Sequence, residues 1–219
     1  MGIYNQGIYG PYSGRVGNVI GSFWKGRCVM RIRAASYTDA NTIPQQTQRM
    51  KWRLVSAFLN ANSKLVKLGF AAVDDSLTAF NAAMKYNIPE AITGTFPELK
   101  LDLTKAVLSK GDLLAIEGGA LTSTVPGSIS VAWTNNSNNG DALATDVMKL
   151  SIIDTITGEV LVNSSAITRA DETAAVTLPT GWTARTVNVI GFFVKDGCIK
   201  VTSPDQVSDS ISLGTVTVA

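Results

Sequence analysis

The sequence predicts an α+β protein: an N-terminal β-hairpin packed with two or three helices, followed by an antiparallel β-sandwich of the immunoglobulin or fibronectin type III kind. Three observations predict this class. Apolar residues alternate around a tight turn in residues 14–33, recur every three or four residues in 50–68, and alternate again from about residue 127. The predicted parts are an extended arm at 1–13, a basic hairpin-and-helix domain at 14–110, a linker at 111–126 and the sandwich at 127–219.

The first residues predict an arm that docks on another molecule. Residues 1–13 are rich in Gly, Tyr, Asn and Gln, which is typical of an extended terminal segment. They also carry more apolar surface than a free tail needs, so we expect a docking strand that becomes ordered against a neighbour. The apolar side chains available for docking are Ile3, Tyr4, Ile8, Tyr9 and Tyr12.

Residues 14–33, GRVGNVIGSFWKGRCVMRIR, predict a β-hairpin with an apolar side and a cationic side. Gly26, in the turn at 24–27, can adopt positive φ without steric cost. Gly17 and Gly21 weaken a strand, so they indicate a bulge or a close approach of another backbone. Alternation places three cations of the second arm on one face: Arg27, Arg31 and Arg33.

We interpret the cationic side as a contact surface for an anionic partner, either nucleic acid or an acidic face of another subunit. The alternative is a hairpin that lies on the helices of its own chain. Buried Trp and Arg side chains dominate the energy of protein interfaces, which favours the aromatic and basic residues as contacts. The candidate contact residues, two of them on the following helix, are Trp24, Lys25, Arg27, Arg31, Arg33, Arg49 and Arg53.

Helices are predicted between the hairpin and residue 94. Thr42 fits the cap of a long helix, with Pro44 in its first turn and Gly69 just past its end. Asp75 or Ser76 fits the cap of a second helix, and Pro89 opens a short third turn. The long helix carries an apolar stripe spaced by three and four residues, with a kink expected at 60–63: Met50, Leu54, Ala57, Phe58, Ala61, Leu65 and Leu68.

Short strands dominate the rest of the chain. Leucines alternate at 99–103, and Asp196-Gly197 is a strong hairpin-turn pattern. Trp133 and Trp182 are expected in the sandwich core, and the cysteine pair of antibody domains is missing. The strands predicted for the sandwich are 129–133, 147–153, 160–162, 174–178, 186–194, 198–201 and 211–218.

The composition excludes several kinds of chemistry. Histidine is absent, which removes Ser-His and Cys-His catalysis and most zinc sites. The adjacent acids Asp74-Asp75 and Asp171-Glu172 are better explained by a helix start and a loop. Cys28 and Cys198 lie in different halves and are predicted to be lone buried thiols. The sequence therefore predicts no enzyme and no cofactor.

The asparagine-rich segment 135–146, NNSNNGDALATD, resembles a calcium-binding loop in outline. It lacks the early carboxylates of such loops and ends in Asp146 rather than Glu, so we expect an exposed loop and no metal site.

No apolar run approaches the roughly 20 residues that span a bilayer. The first residues lack the charged and apolar regions of a secretory signal, so synthesis in the cytoplasm is expected, with incorporation into a virion or filament.

The two halves of the chain differ in charge. Residues 1–110 carry 14 cations and 6 acids, whereas residues 111–219 carry 5 cations and 11 acids, so the net charges are +8 and −6. A basic front and an acidic back favour either an anionic partner at the front or head-to-tail packing between copies.

Segments spread along the chain carry a family resemblance: GRVGNVIGSFWKG and MRIR, QRMKWRLVSAFL, LGF at 68–70, LTAFNAAMKYNIPEAITG and ISVAWTNNS. Together they resemble an uncharacterised bacterial family of about this length, which has a domain-of-unknown-function label and occurs in part in prophage-like settings. The resemblance covers nearly the whole chain and implies the two-part layout. It supplies no activity and no functional residues.

These observations favour a non-enzymatic structural or assembly protein, a phage virion or filament subunit that self-associates through its arm and basic hairpin. One alternative is a nucleic-acid-associated protein that uses the basic half. Another is a surface adhesin that binds glycans through the sandwich loops. The predicted partners are copies of the chain or other structural subunits, with nucleic acid as the alternative and without a membrane or a small-molecule substrate.

Overall fold

A computed structural model describes residues 2–3, 10, 12–36, 38–73, 77–137, 139–163, 166–198 and 201–219. Contacts divide the chain into two compact units, Met1–Thr42 and Ile43–Ala219. The first unit contains the hairpin, and the second contains the helices and the sandwich. The predicted α+β class, with a hairpin, helices and an antiparallel sandwich, is confirmed.

The described part of the first unit forms an antiparallel sheet with strand order β1-β4-β3-β2 around the predicted hairpin. Its strands are β1 (Gly2–Ile3), β2 (Gly14–Val16), β3 (Val19–Trp24) and β4 (Arg27–Ile32). Lys25 and Gly26 form the turn between β3 and β4 with φ of 44° and 77°. Positive φ at both central residues is the geometry that matches the twist of a two-residue hairpin.

Tyr12 lies across Gly21 in the middle of this sheet. A Cβ added to Gly21 would lie 2.5 Å from the Tyr12 carbonyl oxygen and 2.6 Å from its ring, so a larger residue does not fit. The expected close approach of another backbone is therefore confirmed at Gly21. Gly17 has a different role, because it lies with φ of 58° in the turn between β2 and β3.

The helices of the second unit, among its described residues, are α1 (Ile43–Ala61), α2 (Ser63–Gly69) and α3 (Ala79–Glu90). The predicted kink is a break at Asn62. The N-cap of α3 is Thr78, whose hydroxyl accepts the Asn81 N–H at 3.3 Å. Asp75 and Ser76 lie outside the described residues. Pro89 lies inside α3 and does not open a third turn.

Within the described residues of the second unit, the strands form three antiparallel sheets. They are β5 (Ile92–Thr93), β6 (Lys100–Leu101), β7 (Glu117–Thr122), β8 (Ser128–Thr134), β9 (Val147–Asp154), β10 (Val160–Val162), β11 (Ile167–Thr168), β12 (Thr173–Thr177), β13 (Thr186–Val194) and β14 (Ile211–Thr217). The orders are β12-β8-β7, β10-β9-β13-β14 with β11 also on β9, and β5-β6. The first two sheets enclose one hydrophobic cluster, which contains Trp133 and Trp182 as predicted.

Residues 111–126 are not a linker, because β7 pairs with β8 as part of the sandwich. The segment EGGALT has two glycines and a register shift between Glu117 and Ala120, so its side chains do not follow a simple alternation. The predicted strand at 198–201 is not observed at its described residues, Cys198 and Val201. The strand at 99–103 shortens to β6.

Strand β13 joins the helices to the sandwich. Val187, Val189 and Phe193 lie in the sandwich cluster, while Ile190 and Phe192 lie in a second cluster with residues of all three helices. The second unit therefore has three layers, two sheets and one layer of helices. The predicted boundary at residue 110 does not separate the helices from the sandwich.

A buried polar contact fixes the helices on this sheet. The Ser151 hydroxyl on β9 donates to Asn62 Oδ1 at 2.5 Å, and the Asn62 amide donates to the Phe58 carbonyl at 3.0 Å. Asn62 thus satisfies its own side chain at the helix break while it binds the central sheet. Because an unpaired buried amide is costly, this pairing favours one orientation of the helices.

We expect Phe192→Ala to lower the free energy of unfolding of the second unit by about 3–5 kcal/mol, because Phe192 is fully buried between the helices and the sheet. Urea unfolding followed by far-UV circular dichroism measures the helices, and near-UV circular dichroism measures the buried Trp133 and Trp182. Both signals should disappear in one transition at lower urea. Ile156→Ala, at an exposed position of the second unit, is the control and should leave this transition unchanged. Loss of the helical signal at a urea concentration that leaves the aromatic signal intact would contradict the expectation that β13 makes the helices and the sandwich unfold together.

Candidate interaction surface

The register of the first sheet collects three cations on one face. Arg31 on β4 is opposite Ile20, which is opposite Arg15 on β2, and Trp24 is opposite Arg27. Directly opposed residues project from the same face of a sheet. The resulting surface, which we call the cationic face, consists of Arg15, Ile20, Ser22, Trp24, Arg27, Val29 and Arg31.

The cationic face also contains apolar side chains, which differs from the predicted division into an apolar and a cationic side. It carries a groove of about 450 Å³ to which Ile20, Trp24, Val29 and Arg31 contribute. Val29 is buried in its floor, whereas Trp24 and Arg31 are exposed. Lys25 Nζ lies 5.7 Å from the centre of the Trp24 ring, within the range of a cation–π contact.

The arginines of the first unit differ in whether they bind groups of their own chain. Arg27 and Arg31 form no ion pair or side-chain hydrogen bond with any residue that the structure describes. Arg15 Nε donates to the Gly17 carbonyl at 2.9 Å, which supports the turn between β2 and β3. Arg33 follows β4, and its backbone N–H donates to the Asn18 carbonyl at 2.8 Å. Arg27 and Arg31 are therefore available to a partner of opposite charge.

The first unit leaves large apolar side chains in solvent. Five of them are between 60% and 79% exposed, and they lie on both faces of the sheet: Ile3, Val16, Phe23, Trp24 and Ile32. A unit of this length has little interior, so it cannot cover both faces of its own sheet. Exposed apolar surface of this kind is typical of an interaction site.

The described docking residues of the predicted arm lie on the sheet of their own chain. Ile3 in β1 is opposite Val29 of β4, and Tyr12 lies across Gly21. Tyr4, Ile8 and Tyr9, the other predicted docking residues, lie outside the described residues. The expected strand is therefore present at Gly2–Ile3, and docking on a neighbour stays a prediction.

Arg49 and Arg53 belong to the second unit, on the exposed first part of α1. The first buried residue of α1 is Val55, more than three turns after the helix begins. Arg49 and Arg53 are four residues apart and therefore lie on one side of the helix. Trp52 is exposed beside Arg49, and both line a shallow groove of about 310 Å³.

A buried arginine, which sequence reasoning missed, holds the asparagine-rich loop. Arg169 is fully buried, and its Nη2 lies 3.1 Å from Asp146 Oδ2 and donates to the Leu114 carbonyl at 3.0 Å. Its Nη1 donates to Asn136, and its guanidinium lies 3.9 Å from the centre of the Phe193 ring. Burial lowers the pKa of Arg169 from its ordinary value, although the neighbouring Asp146 carboxylate opposes this effect.

This ion pair decides the role of Asp146. Asp146 occupies the last position of the segment that resembles a calcium loop, and Asn136 lies near its start. Both side chains bind Arg169, so Arg169 joins the two ends of the loop inside the sandwich. The interpretation as a loop between strands agrees with this arrangement, and the Asp146 carboxylate serves as the partner of a buried cation.

The other candidate acids also have local structural partners. Asp171 Oδ2 accepts the Thr168 N–H at 2.7 Å in a capping box, and this hydrogen bond lowers the pKa of Asp171. Asp74 and Asp75 lie outside the described residues. Cys28 and Cys198 are free thiols, and each is half-buried, not buried as predicted. Among the described residues, no three Cys, Asp or Glu side chains group as metal ligands.

An acidic groove of about 410 Å³ lies on the sandwich. Asp112 and Asp141 at this groove are exposed and form no ion pair or side-chain hydrogen bond with the described residues. Asp205 accepts a hydrogen bond from Lys195 Nζ at 3.1 Å, and Leu114 is 40% exposed. The groove is lined by Asp112, Leu113, Leu114, Asn139, Gly140, Asp141 and Asp205.

A larger cavity of about 520 Å³ lies between α1, β6 and the turn from β9 to β10. Its one buried carboxylate, Asp154, accepts hydrogen bonds at 2.8 Å from the Ile156 N–H, the Thr157 hydroxyl and Arg185 Nη1. Burial raises the pKa of Asp154, but these hydrogen bonds outweigh burial and lower it to about 2. Asp154 therefore stabilises the turn as a carboxylate and is poorly suited to accept a proton.

The described part of the chain contains no helix with the length and apolarity needed to cross a bilayer.

Most of the chain, residues 11–210, matches a family described as "Family of unknown function (DUF6266)". The chain therefore belongs to that family, which confirms the predicted kind of family; a bacterial or prophage origin stays a prediction. No curated protein matches the chain.

Two solved structures of human domains are similar to part of the chain. The fn3 domain of the collagen alpha-1(XX) chain has 16% sequence identity and a TM-score of 0.36, and the match covers 49% of this chain and 86% of that domain. The fn3 domain of contactin 1 has 11% identity and a TM-score of 0.31, and the match covers 51% of this chain and 83% of that domain.

The lowered pKa of Asp154 predicts a pH-dependent contribution to stability. Because this pKa lies below the ordinary value of 3.8, the contribution is present above about pH 4 and disappears as the pH falls towards about 2. We expect Asp154→Asn to lower the Tm at neutral pH and this difference from the wild type to shrink between about pH 4 and pH 2. Asp196→Asn, in an exposed turn, is the control and should give a smaller Tm difference. A Tm difference for Asp154→Asn that stays constant down to about pH 2 would contradict this role.

Proposed function

We propose that this member of the family is a non-enzymatic structural protein that associates with copies of itself through the sheet of its first unit, as a subunit of a virion or filament. The observation that carries the proposal is the set of five large apolar side chains that the first unit exposes. Two of them, Phe23 and Trp24, line a groove to which Arg31 also contributes, and Trp and Arg are residue types that dominate the energy of interfaces.

The energies are of the right size for association. Full burial of one large apolar side chain contributes about 1.5–3 kcal/mol. The five side chains lie on both faces of the sheet, so one contact buries two or three of them. The gain of about 3–9 kcal/mol is comparable with the lower part of the cost of about 4–15 kcal/mol for the lost translational and rotational freedom of two proteins. The same side chains, left in solvent, would favour nonspecific aggregation.

The carboxylates of the second unit support a role without catalysis. Asp146, Asp154 and Asp171 each accept hydrogen bonds from groups of their own chain. The chain has no histidine to serve as a general base. The other distinctive features are the exposed apolar side chains and the cationic face of the first unit, and these suit a protein that acts by binding other molecules.

We expect the purified protein to form oligomers whose mass rises with concentration, measured by multi-angle light scattering at low and high salt with negative-stain microscopy. Phe23→Ser with Trp24→Ser should give a folded monomer, because both side chains are exposed and their loss removes interface area. Ile156→Ser is the matched control, because Ile156 is an 80% exposed apolar residue of the second unit and is not part of the proposed contact sheet. A wild-type protein that stays monomeric at every salt and protein concentration would overturn the proposal.

The cationic face supports nucleic-acid binding as a second candidate function. Arg15, Arg27 and Arg31 lie on the same face as the exposed Trp24. Cations that contact phosphates, combined with an aromatic ring on which a base can stack, are the common elements of single-strand binding. This combination suits a single-stranded chain better than a duplex groove.

In this second case, a single-stranded oligonucleotide should bind more weakly as the salt concentration rises. The slope of the logarithm of the binding constant against the logarithm of the salt concentration reflects the number of phosphates that the protein neutralises. Arg27→Ala with Arg31→Ala should weaken binding and reduce that slope by about 0.7 for each lost contact. Lys64→Ala with Lys85→Ala removes two exposed cations of the second unit and should leave binding unchanged. Fluorescence anisotropy measures both quantities. Absence of binding at low salt would remove this candidate.

A further inference from the structure

Charge disfavours a symmetric contact of the cationic face with its own copy. A two-fold interface places the same patch of both subunits together, so it would collect Arg27 and Arg31 of both copies in one contact, and the described residues of this face carry no carboxylate. Neither arginine has a partner of opposite charge among the described residues. Like charges at an interface cost several kcal/mol. A second copy that meets this face with a different, negatively charged surface avoids this cost.

The sandwich provides such a surface in the acidic groove lined by Asp112, Leu113, Leu114, Asn139, Gly140, Asp141 and Asp205. Seven of the eleven acids after residue 110 are bound within the described chain: Asp146, Asp154, Glu159, Asp171, Asp196, Asp205 and Asp209. Asp112 and Asp141 are exposed and have no such partner among the described residues. They lie on a single groove together with the partly exposed Leu114.

The two surfaces match in chemistry. The cationic face presents two unpaired arginines beside the exposed Trp24, and the acidic groove presents two carboxylates beside the exposed Leu114. An arginine–carboxylate contact supplies direction and specificity, and an aromatic ring on an aliphatic side chain supplies apolar burial. Charge complementarity between the basic first unit and the acidic sandwich favours the same pairing at longer range.

We infer that the cationic face of one copy binds the acidic groove of a second copy, so that the chains associate head to tail. This inference rests on the proposed self-association and adds the identity of the two surfaces. A head-to-tail contact uses two different surfaces of each copy, so every added copy leaves one of each free. Such a contact builds a ring where the rotation closes and a filament where it does not.

Charge reversal on each surface tests the inference. The hairpin variant carries Arg27→Glu with Arg31→Glu, and the groove variant carries Asp112→Lys with Asp141→Lys. All four positions are exposed, so both variants should fold, as circular dichroism would check. Lys64→Glu with Lys85→Glu is the matched control for the hairpin variant, because it makes the same change of charge on two exposed helical positions.

Each variant alone should fail to assemble at concentrations at which the wild type and the control assemble. An equimolar mixture should associate again, because the unchanged groove of the hairpin variant can bind the unchanged cationic face of the groove variant. Light scattering of each sample and of the mixture measures the result.

The outcomes separate this inference from the proposed function. If the wild type and the groove variant assemble equally well, the acidic groove is not the contact. This result would overturn the inference but would leave the proposed self-association in place. The same conclusion follows where both variants fail alone and the mixture does not associate. A monomeric wild type would overturn self-association itself, and the head-to-tail contact with it.

Discussion

The burial of β13 on both of its faces holds the second unit together. The outer face of a sandwich sheet normally meets solvent, but here Ile190 and Phe192 point away from the sandwich and are fully buried under the helices. Burial of each such side chain contributes about 1.5–3 kcal/mol, so the sheet and the helices stabilise one another. The hydrogen bond between Ser151 and Asn62 then selects the orientation of the helix layer.

The two units differ in where their charged side chains lie. In the sandwich, Asp146 and Asp154 are buried and bound by Arg169 and Arg185, so these carboxylates act as structural parts of loops and turns. Removal of the arginine would leave a buried carboxylate without its cation, which is strongly destabilising. In the first unit the arginines lie on the surface of a small sheet. The chemistry that remains for a partner is therefore cationic and apolar on the first unit, and acidic at the groove of the sandwich.

Much of the fold could be predicted because it follows from local patterns. The hairpin turn needs positive φ at two residues, and Lys25-Gly26 supplies it; the helices follow from a spacing of three and four. Strand β7 escaped prediction because its glycines and its register shift interrupt the alternation. The double burial of β13 left a trace in the sequence, since VNVIGFFV is an almost continuous apolar run, typical of a strand covered on both sides.

By itself the sequence determined the strand and helix periods, the absence of histidine chemistry and the unequal charges of the two halves, because these depend on residue type and short spacing. Only the tertiary structure decided that Arg15 joins Arg27 and Arg31 on one face, and that Asp146 binds Arg169, 23 residues away. Register and burial are properties of chain segments that meet in space. A short sequence window holds only one of the two segments, so it cannot specify which side chains face one another.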